Sequence, residues 1–262
     1  MGEDYDPRRW LSVSRMSSVA KCGRQYELSR VEKVPSKPAA WTVRGIAAHE
    51  AIEEWESSAR QLDYINYYVD EAWPKALEKI TEEYPDVQNW QRTPRVLTVK
   101  RDLELRHADG LKQVQTYVDH ALSEEDLWEV LEIEFPFRIE YDDFIIMGYI
   151  DQIRRWIPTD EKYVVDLKTG GDKSEKNIQL GTYRQGYLSE TGEDFLVGQY
   201  YYPKLGRYSL DIDLSPYTEE YIFQEYDKLD LILEHGLFLA NPSFDNCFGC
   251  GVADHCIEAK IK

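Results

Sequence analysis

Val164-Val165-Asp166-Leu167-Lys168-Thr169-Gly170, read with Gly148-Tyr-Ile-Asp151 fifteen residues before its aspartate, decides the fold. Each stretch closes an apolar run of strand length. Side chains alternate along a strand, so Asp166 and Lys168 share one face while Val165 and Leu167 point into a core. A strand from the middle of a sheet that presents Asp-x-Lys beside a second aspartate gathers two carboxylates and an ammonium in one place. Two carboxylates suit Mg²⁺, which takes oxygen ligands and keeps several waters. A cation as Lewis acid, a water as nucleophile and a lysine near developing charge are the parts used to hydrolyse a phosphate ester. The plain structural alternative is a surface ion pair between Asp166 and Lys168.

Outward from these strands the texture is mixed. Residues 128–140, 143–156 and 162–168 read as strands, with Asp142-Asp143 as a hairpin turn, and 194–203 and 206–214 as two more. Helices are expected over 14–34, capped by Ser14 or Ser17, then from Thr42 through Glu56, over 60–83 and over 110–126. Further helices are expected over 175–190 and 216–239, the last with Pro216 in its first turn. This order predicts a single α/β domain over 1–262. Its parts are a mainly helical region 1–126, a sheet core 127–214, and a C-terminal helix with a cysteine tail over 215–262.

The 262 residues are 42% hydrophobic and 31% charged, enough for one sizeable core. No apolar run approaches the roughly 18–20 residues that span a bilayer, and no signal-peptide core is present. A cytoplasmic setting without membrane contact is therefore expected. The net charge of -18 argues against a nucleic-acid partner, but its distribution does not. Residues 1–44 hold nine Lys/Arg against five Asp/Glu, and 92–112 hold six against three. A basic approach path on an acidic body is compatible with this; solvated surface charge is the alternative.

Four further signals are weak one by one. His49 and Glu53, four apart, share a helix face, and imidazole suits Mn²⁺ and tolerates Mg²⁺ carboxylates. Gln179 and Tyr183 also lie one helical turn apart, where Tyr183 could equally be core packing. Tyr200-Tyr201-Tyr202 could stack on bases, although packing in a strand is the preferred reading. Cys247, Cys250 and Cys256 crowd the tail, with Cys22 the only other cysteine. In a reducing compartment they predict a metal site that brings the two ends of the chain together. Spacing alone leaves zinc, with His255 as a possible substitute ligand, level with an iron–sulfur cluster. Lys173-Ser174 lacks P-loop spacing, so no ATP-driven motor is encoded and any helicase is a separate chain.

Taken in order, Gly45-x-x-x-His49, Gly148-x-x-Asp151, Asp166-x-Lys168-Thr-Gly and Gln179-x-x-x-Tyr183 resemble the RecB-like branch of the PD-(D/E)xK nuclease superfamily. So do Leu11-Ser-Val-Ser-Arg15 and the split Cys22…Cys247-x2-Cys250-x5-Cys256 pattern. The likeness extends to its iron–sulfur type, that of CRISPR-associated RecB-like exonucleases and the AddB nuclease domain, and covers about Ser12 to Cys256. It implies a restriction-endonuclease-like fold, with a mixed central sheet flanked by helices, an N-terminal helical elaboration and the cysteine tail. It implies that His49, Asp151 and Asp166 hold Mg²⁺ or Mn²⁺ with help from the Leu167 carbonyl. Lys168 would be the catalytic lysine, Gln179 and Tyr183 would stand beside it, and Glu53 is a weaker member. The four cysteines would bind a structural [4Fe-4S] cluster, and this tips the balance away from zinc. The implied activity is exonucleolytic cleavage of DNA, from free ends and on single strands, in recombination, repair, CRISPR adaptation or phage DNA processing. A separate helicase or recombination partner fits; oligomeric state is left open. Two departures stand out: Gly23 follows the first cysteine where many relatives have Pro, and Asp166 stands where many have Glu. The rival readings are a non-catalytic DNA- or partner-binding module on the same fold, and a zinc-stapled interaction protein.

Overall fold

The structure, a computed structural model, describes residues 10–170 and 177–260. Its centre is a seven-stranded mixed sheet. Strands β2 (Trp128–Tyr141) and β3 (Phe144–Trp156) form a long antiparallel hairpin. It turns at Asp142, whose φ of 43° is one that aspartate tolerates better than most residues. β4 (Glu161–Leu167) pairs with the second half of β3, from Trp156↔Glu161 to Gln152↔Val165. β1 (Trp10–Leu11) takes the first half, parallel, at Ile145 and Ile146. β5 (Val197–Tyr202) lies parallel to β4, and β6 (Arg207–Tyr208) and β7 (Ile212–Asp213) share its other edge.

Alternation along β4 splits the core in two. Val164 joins Ile146, Ile150, Leu180 and Tyr226 on the face covered by α1 (Val13–Lys21), α7 (Ile178–Thr191) and α8 (Glu219–His235). Val165 and Leu167 join Trp55, Tyr117 and Tyr201 on the face covered by α3 (Ala40–Ser57), α5 (Trp73–Glu83) and α6 (Val99–Ser123). α7 lies close on the hairpin because Gly186 has no side chain: a Cβ there would meet the Phe137 ring at 2.5 Å. The expected α/β class, with helices on both sides of a mixed sheet, is what the chain forms.

Several boundaries differ from expectation. The first helix does not run unbroken over 14–34. Ser12, not Ser14 or Ser17, caps α1, and Cys22 is extended at φ -165°. The chain resumes as α2 (Gly23–Tyr26) and a wide turn over Glu27–Val31. The 60–83 segment is α4 (Tyr64–Tyr67), a wide turn at Tyr68–Ala72, and α5. α6 begins at the Thr98 cap, well before residue 110. The 206–214 strand is two short ones, and Pro216 precedes α8, which Thr218 caps; a further short helix follows at Phe244–Cys247. The first turn expected at 175–176, and Lys173-Ser174, lie outside the described residues.

The segment around Cys22 does meet the cysteine tail. Asn241 and Asn246 side-chain amides both donate to the Lys21 carbonyl at the end of α1, at 3.0 and 3.1 Å. Arg24 N–H donates to the Leu239 carbonyl at 3.3 Å. Leu28 packs with Val252 and Cys256 in a small core of its own. Gly23 makes this passage possible: a Cβ there would stand 2.7 Å from Leu239 N and 2.8 Å from the Phe238 carbonyl carbon. Because the obstacle is backbone, Gly23→Val is expected to cost about 1–3 kcal/mol or more. Its melting temperature should fall and proteolysis should release the segment after Phe238 first; unchanged melting and cleavage would contradict this packing.

Candidate active site

The aspartates come together because β3 and β4 are neighbours. Asp151 Oδ2 accepts the Leu167 N–H at 2.7 Å, tying the two strands where their ladder ends. Asp166 is 2% exposed. Gln179, on the first turn of α7, bridges the next two groups. Its Nε2 donates to Asp166 Oδ1 at 2.6 Å and to Tyr183 Oη at 2.7 Å, and its Oε1 accepts from Lys168 Nζ at 2.7 Å. Lys168 Nζ also lies 2.8 Å from Asp166 Oδ2. That approach is off hydrogen-bond alignment, and Asp166 Oδ2 is a buried oxygen with no aligned donor.

His49 enters from α3, which is pinned at both ends. Near its start Arg44 donates to Asp109 at 2.9 Å and to the Thr169 carbonyl at 3.0 Å. Near its end Glu56 accepts from Tyr117 at 2.7 Å and lies 3.6 Å from the buried Arg154. Gln152 joins that network through Tyr117 and Arg154, both at 2.8 Å. Between these anchors His49 Nδ1 stands 3.7 Å from Glu53 and 3.9 Å from Asp151. The structure thus gathers His49, Glu53, Asp151, Asp166, Leu167, Lys168, Gln179 and Tyr183. Tyr200, Tyr201 and Tyr202 are 1–4% exposed, so packing, not base stacking, is their part.

Crowded carboxylates shift one another. Burial, then the charge of Asp166, pushes Asp151 up to about 7 against the pull of His49. Burial works to lower His49, but the neighbouring carboxylates of Glu53, Asp151 and Asp166 outweigh it and push the imidazole up to about 9. Burial and both aspartates push Tyr183 well above 10, which keeps it a neutral phenol. As these groups stand, no three His, Cys, Asp or Glu side chains among the described residues converge as a ready metal-holding set. His49 carries a proton, and Lys168 lies on Asp166. The donor types nevertheless suit a hard divalent cation: carboxylate oxygens, one of them without an aligned donor, beside an imidazole.

One member was missed from the sequence. The ladder pairs Ile133 with Gln152 and Phe135 with Ile150, so Glu134 stands opposite Asp151. Its φ of 48° is left-handed, a costly state for a glutamate inside a strand. Burial, then the charges of Glu53 and Asp151, pushes its carboxyl up to about 8. The only sequence signal is an acidic residue on the strand facing Gly148-x-x-Asp151.

All four cysteines line one small cavity, with Asn246, Val252 and Glu258 among its other walls. None is in a disulfide. Burial, opposed by the Val252 N–H and reinforced by the thiols of Cys22 and Cys247, pushes the Cys250 thiol up. The cavity holds about 20 Å³, the room of a single ion or water.

The family described as "PD-(D/E)XK nuclease superfamily" matches residues 10–257. Two relatives are each named "Gene 69 protein". The one from Mycobacterium phage D29 is 31% identical over 267 residues, covering 94% of this chain and 95% of its own. The one from Mycobacterium phage L5 is 25% identical over 284 residues, with the same coverages. A crystal structure from Eubacterium rectale named "Putative exonuclease" aligns over 90% of this chain and 85% of its own. It shares 14% identity at a TM-score of 0.35, too distant to build on.

The raised Glu134 gives a test of the cluster. Between its ordinary value of 4.5 and about 8, the unfolded chain releases a proton that the folded chain keeps. Its contribution therefore lowers stability progressively as pH rises across that window. In metal-free protein Glu134→Gln should melt about 2–6 °C above the parent at pH 8 and level with it near pH 4. A variant no more stable at pH 8 would show that Glu134 is not in this crowded environment.

Proposed function

The chain belongs to the PD-(D/E)XK nuclease superfamily, and on that premise we propose that it is a metal-dependent deoxyribonuclease. It would hydrolyse phosphodiester bonds from the ends of single-stranded DNA, with residues 1–262 working as one nuclease domain. One observation carries the reading: Gln179 holds Lys168 and Asp166 at once, beside Asp151 and His49. A surface ion pair would have no need of that bridge, nor of a second aspartate tied to the neighbouring strand.

Asp151, Asp166 and His49, with the Leu167 carbonyl, would hold Mg²⁺ or Mn²⁺. When bound, the cation supplies Lewis-acid stabilisation of the phosphoryl oxygens and acidifies a water. The protein's own groups do the rest. Lys168 Nζ, fixed by Gln179 Oε1, would aim its positive charge at the attacking water or at an oxygen gaining charge in the transition state. Gln179 and the neutral Tyr183 steady Asp166, so its carboxylate needs no reorganisation during the reaction. His49, 3.7 Å from Glu53, must give up the proton on its ligating nitrogen to act as a ligand.

In the tail, Cys22, Cys247, Cys250 and Cys256 would hold a structural [4Fe-4S] cluster, as the split four-cysteine pattern implies. The small cavity favours a second reading, a single zinc on the same thiolates. Strand preference and a separate helicase or recombination partner follow from the resemblance of the motifs alone.

Three outcomes are expected. Asp166→Ala and Lys168→Ala should each reduce Mg²⁺- or Mn²⁺-dependent cleavage of a labelled single strand at least a hundredfold, with circular dichroism unchanged. Persistent metal-dependent cleavage by both variants would remove this site. Anaerobically purified protein should absorb broadly near ~400 nm and contain about four irons with matching sulfide. One zinc in a colourless protein would instead establish the second reading. Cys250→Ala should be poorly soluble and colourless, whereas wild-type solubility and colour would argue against any metal held by these cysteines.

A further inference from the structure

Away from the aspartates a groove of about 970 Å³ opens at the start of α6. Its apolar lining is Trp73, Val87, Leu97, Val99 and Leu103, and its charged lining is Arg92, Lys100 and Glu104. Leu97 is 86% exposed and open to an apolar partner. A second hollow of about 570 Å³ shares Gln88 and Arg92 with the first and adds Arg95 on its way to Phe248 and Gly249 of the cysteine tail. Sharing these residues makes the two hollows neighbours, and a trough made of both suits a chain molecule better than a compact ligand.

The charge on this trough runs against that of the whole protein. Its two hollows are lined by Lys37, Arg92, Arg95 and Lys100 against Glu104 and Asp254, of which Lys37 and Asp254 pair with each other, in a chain of net -18. Arg101 and Arg106 are engaged by Glu104 and Asp102. Arg92 spends its guanidinium on the Val96 and Leu97 carbonyls and so keeps its full charge. Among the described residues neither Arg95 nor Lys100 has an ion-pair partner. Cations beside an apolar lining match the two parts of an unpaired nucleic-acid strand: phosphates outside and base faces inside. A duplex would present only phosphates and leave the apolar lining unused.

The trough is mechanically joined to the aspartate site. α6 carries His107, whose ring meets Trp73 edge-on at 4.9 Å. Two residues further, Asp109 grips Arg44, which donates to the carbonyl of Thr169, next to Lys168. Along α6, Lys100 and Asp109 are roughly 14 Å apart at 1.5 Å per residue. A strand a few nucleotides long covers that distance.

We propose that this trough binds an unpaired strand of the DNA substrate, with Arg92, Arg95 and Lys100 on the phosphates and the Leu97–Leu103 lining against the bases. The proposal rests on the nuclease reading for the identity of the strand. The test is fluorescence anisotropy of a labelled 20-nucleotide oligothymidylate over a range of salt, without divalent cation, alongside cleavage of the same strand with Mn²⁺. Arg95→Glu/Lys100→Glu, both at exposed side chains, should weaken binding at least tenfold. It should also flatten the salt slope by about 1.4, two phosphate contacts at about 0.7 each. Leu97→Ser should weaken binding several-fold with the slope unchanged. Hydrolysis of a p-nitrophenyl ester of thymidine 5′-monophosphate, too small to reach the trough, should be unaffected by either variant. Binding by the charge-reversed variant within twofold of the parent would overturn the proposal. So would parent affinity for a 20-base-pair duplex equal to that for the single strand. If the parent protein binds the strand as described and cleaves nothing, the trough stands and the nuclease reading falls.

Discussion

Like charges held together in a poorly solvated place are the constraint on which this protein turns. Burial, and then the charge of Asp166, push the Asp151 carboxyl up to about 7. Such a pair needs a stiff frame and nearby compensation. The frame is the β3–β4 junction, where Asp151 accepts the Leu167 N–H, backed on one face by α7 and on the other by α3. Compensation comes from Lys168 at 2.8 Å and from an imidazole held protonated by its neighbours. A cation would replace both, so the pair is costly to the fold for the same reason that it is useful in chemistry.

The scaffold beneath is built to keep α3 still. Its His49 can face the aspartates only if neither end of the helix swings. Arg44 and Glu56 fix those ends with charges of their own, in networks that reach Thr169 on one side and Arg154, Tyr117 and Gln152 on the other. A buried ion pair such as Glu56–Arg154 adds little net stability, because desolvation offsets its attraction. Its worth here is position, since it registers α3 against β3.

The legible part of this architecture was local. Alternating apolar residues showed β2, β3 and β4, and Asp-x-Lys after such a run located the centre. What stayed hidden depended on contacts distant in sequence. Gly110 reads as a boundary, yet it lies inside α6 because the Tyr68 ring occupies the space of its missing side chain. Cys22 reads as one more residue on a helix face, but asparagines more than two hundred positions away cap the helix there. Glu134 was invisible because a left-handed glutamate carries no sequence signature; only the register of β2 against β3 reveals it. The trough escaped notice because its apolar lining comes from three separate segments, although the basic run beside it was plain.

The packing of the first helices on the tail has a consequence for synthesis. Residues 13–31 dock on a surface completed by Phe238, Leu239, Asn241 and Val252. A ribosome making about 5–20 residues per second delivers that surface some ten seconds or more after the segment it must hold. Until then the first helices have no lid, and the apolar side of α1 and Leu28 are open to other partners. The stretch after Phe238, made well after residues 13–31, is therefore what covers that side of the first helices, and a product stalled or clipped before it would leave them exposed.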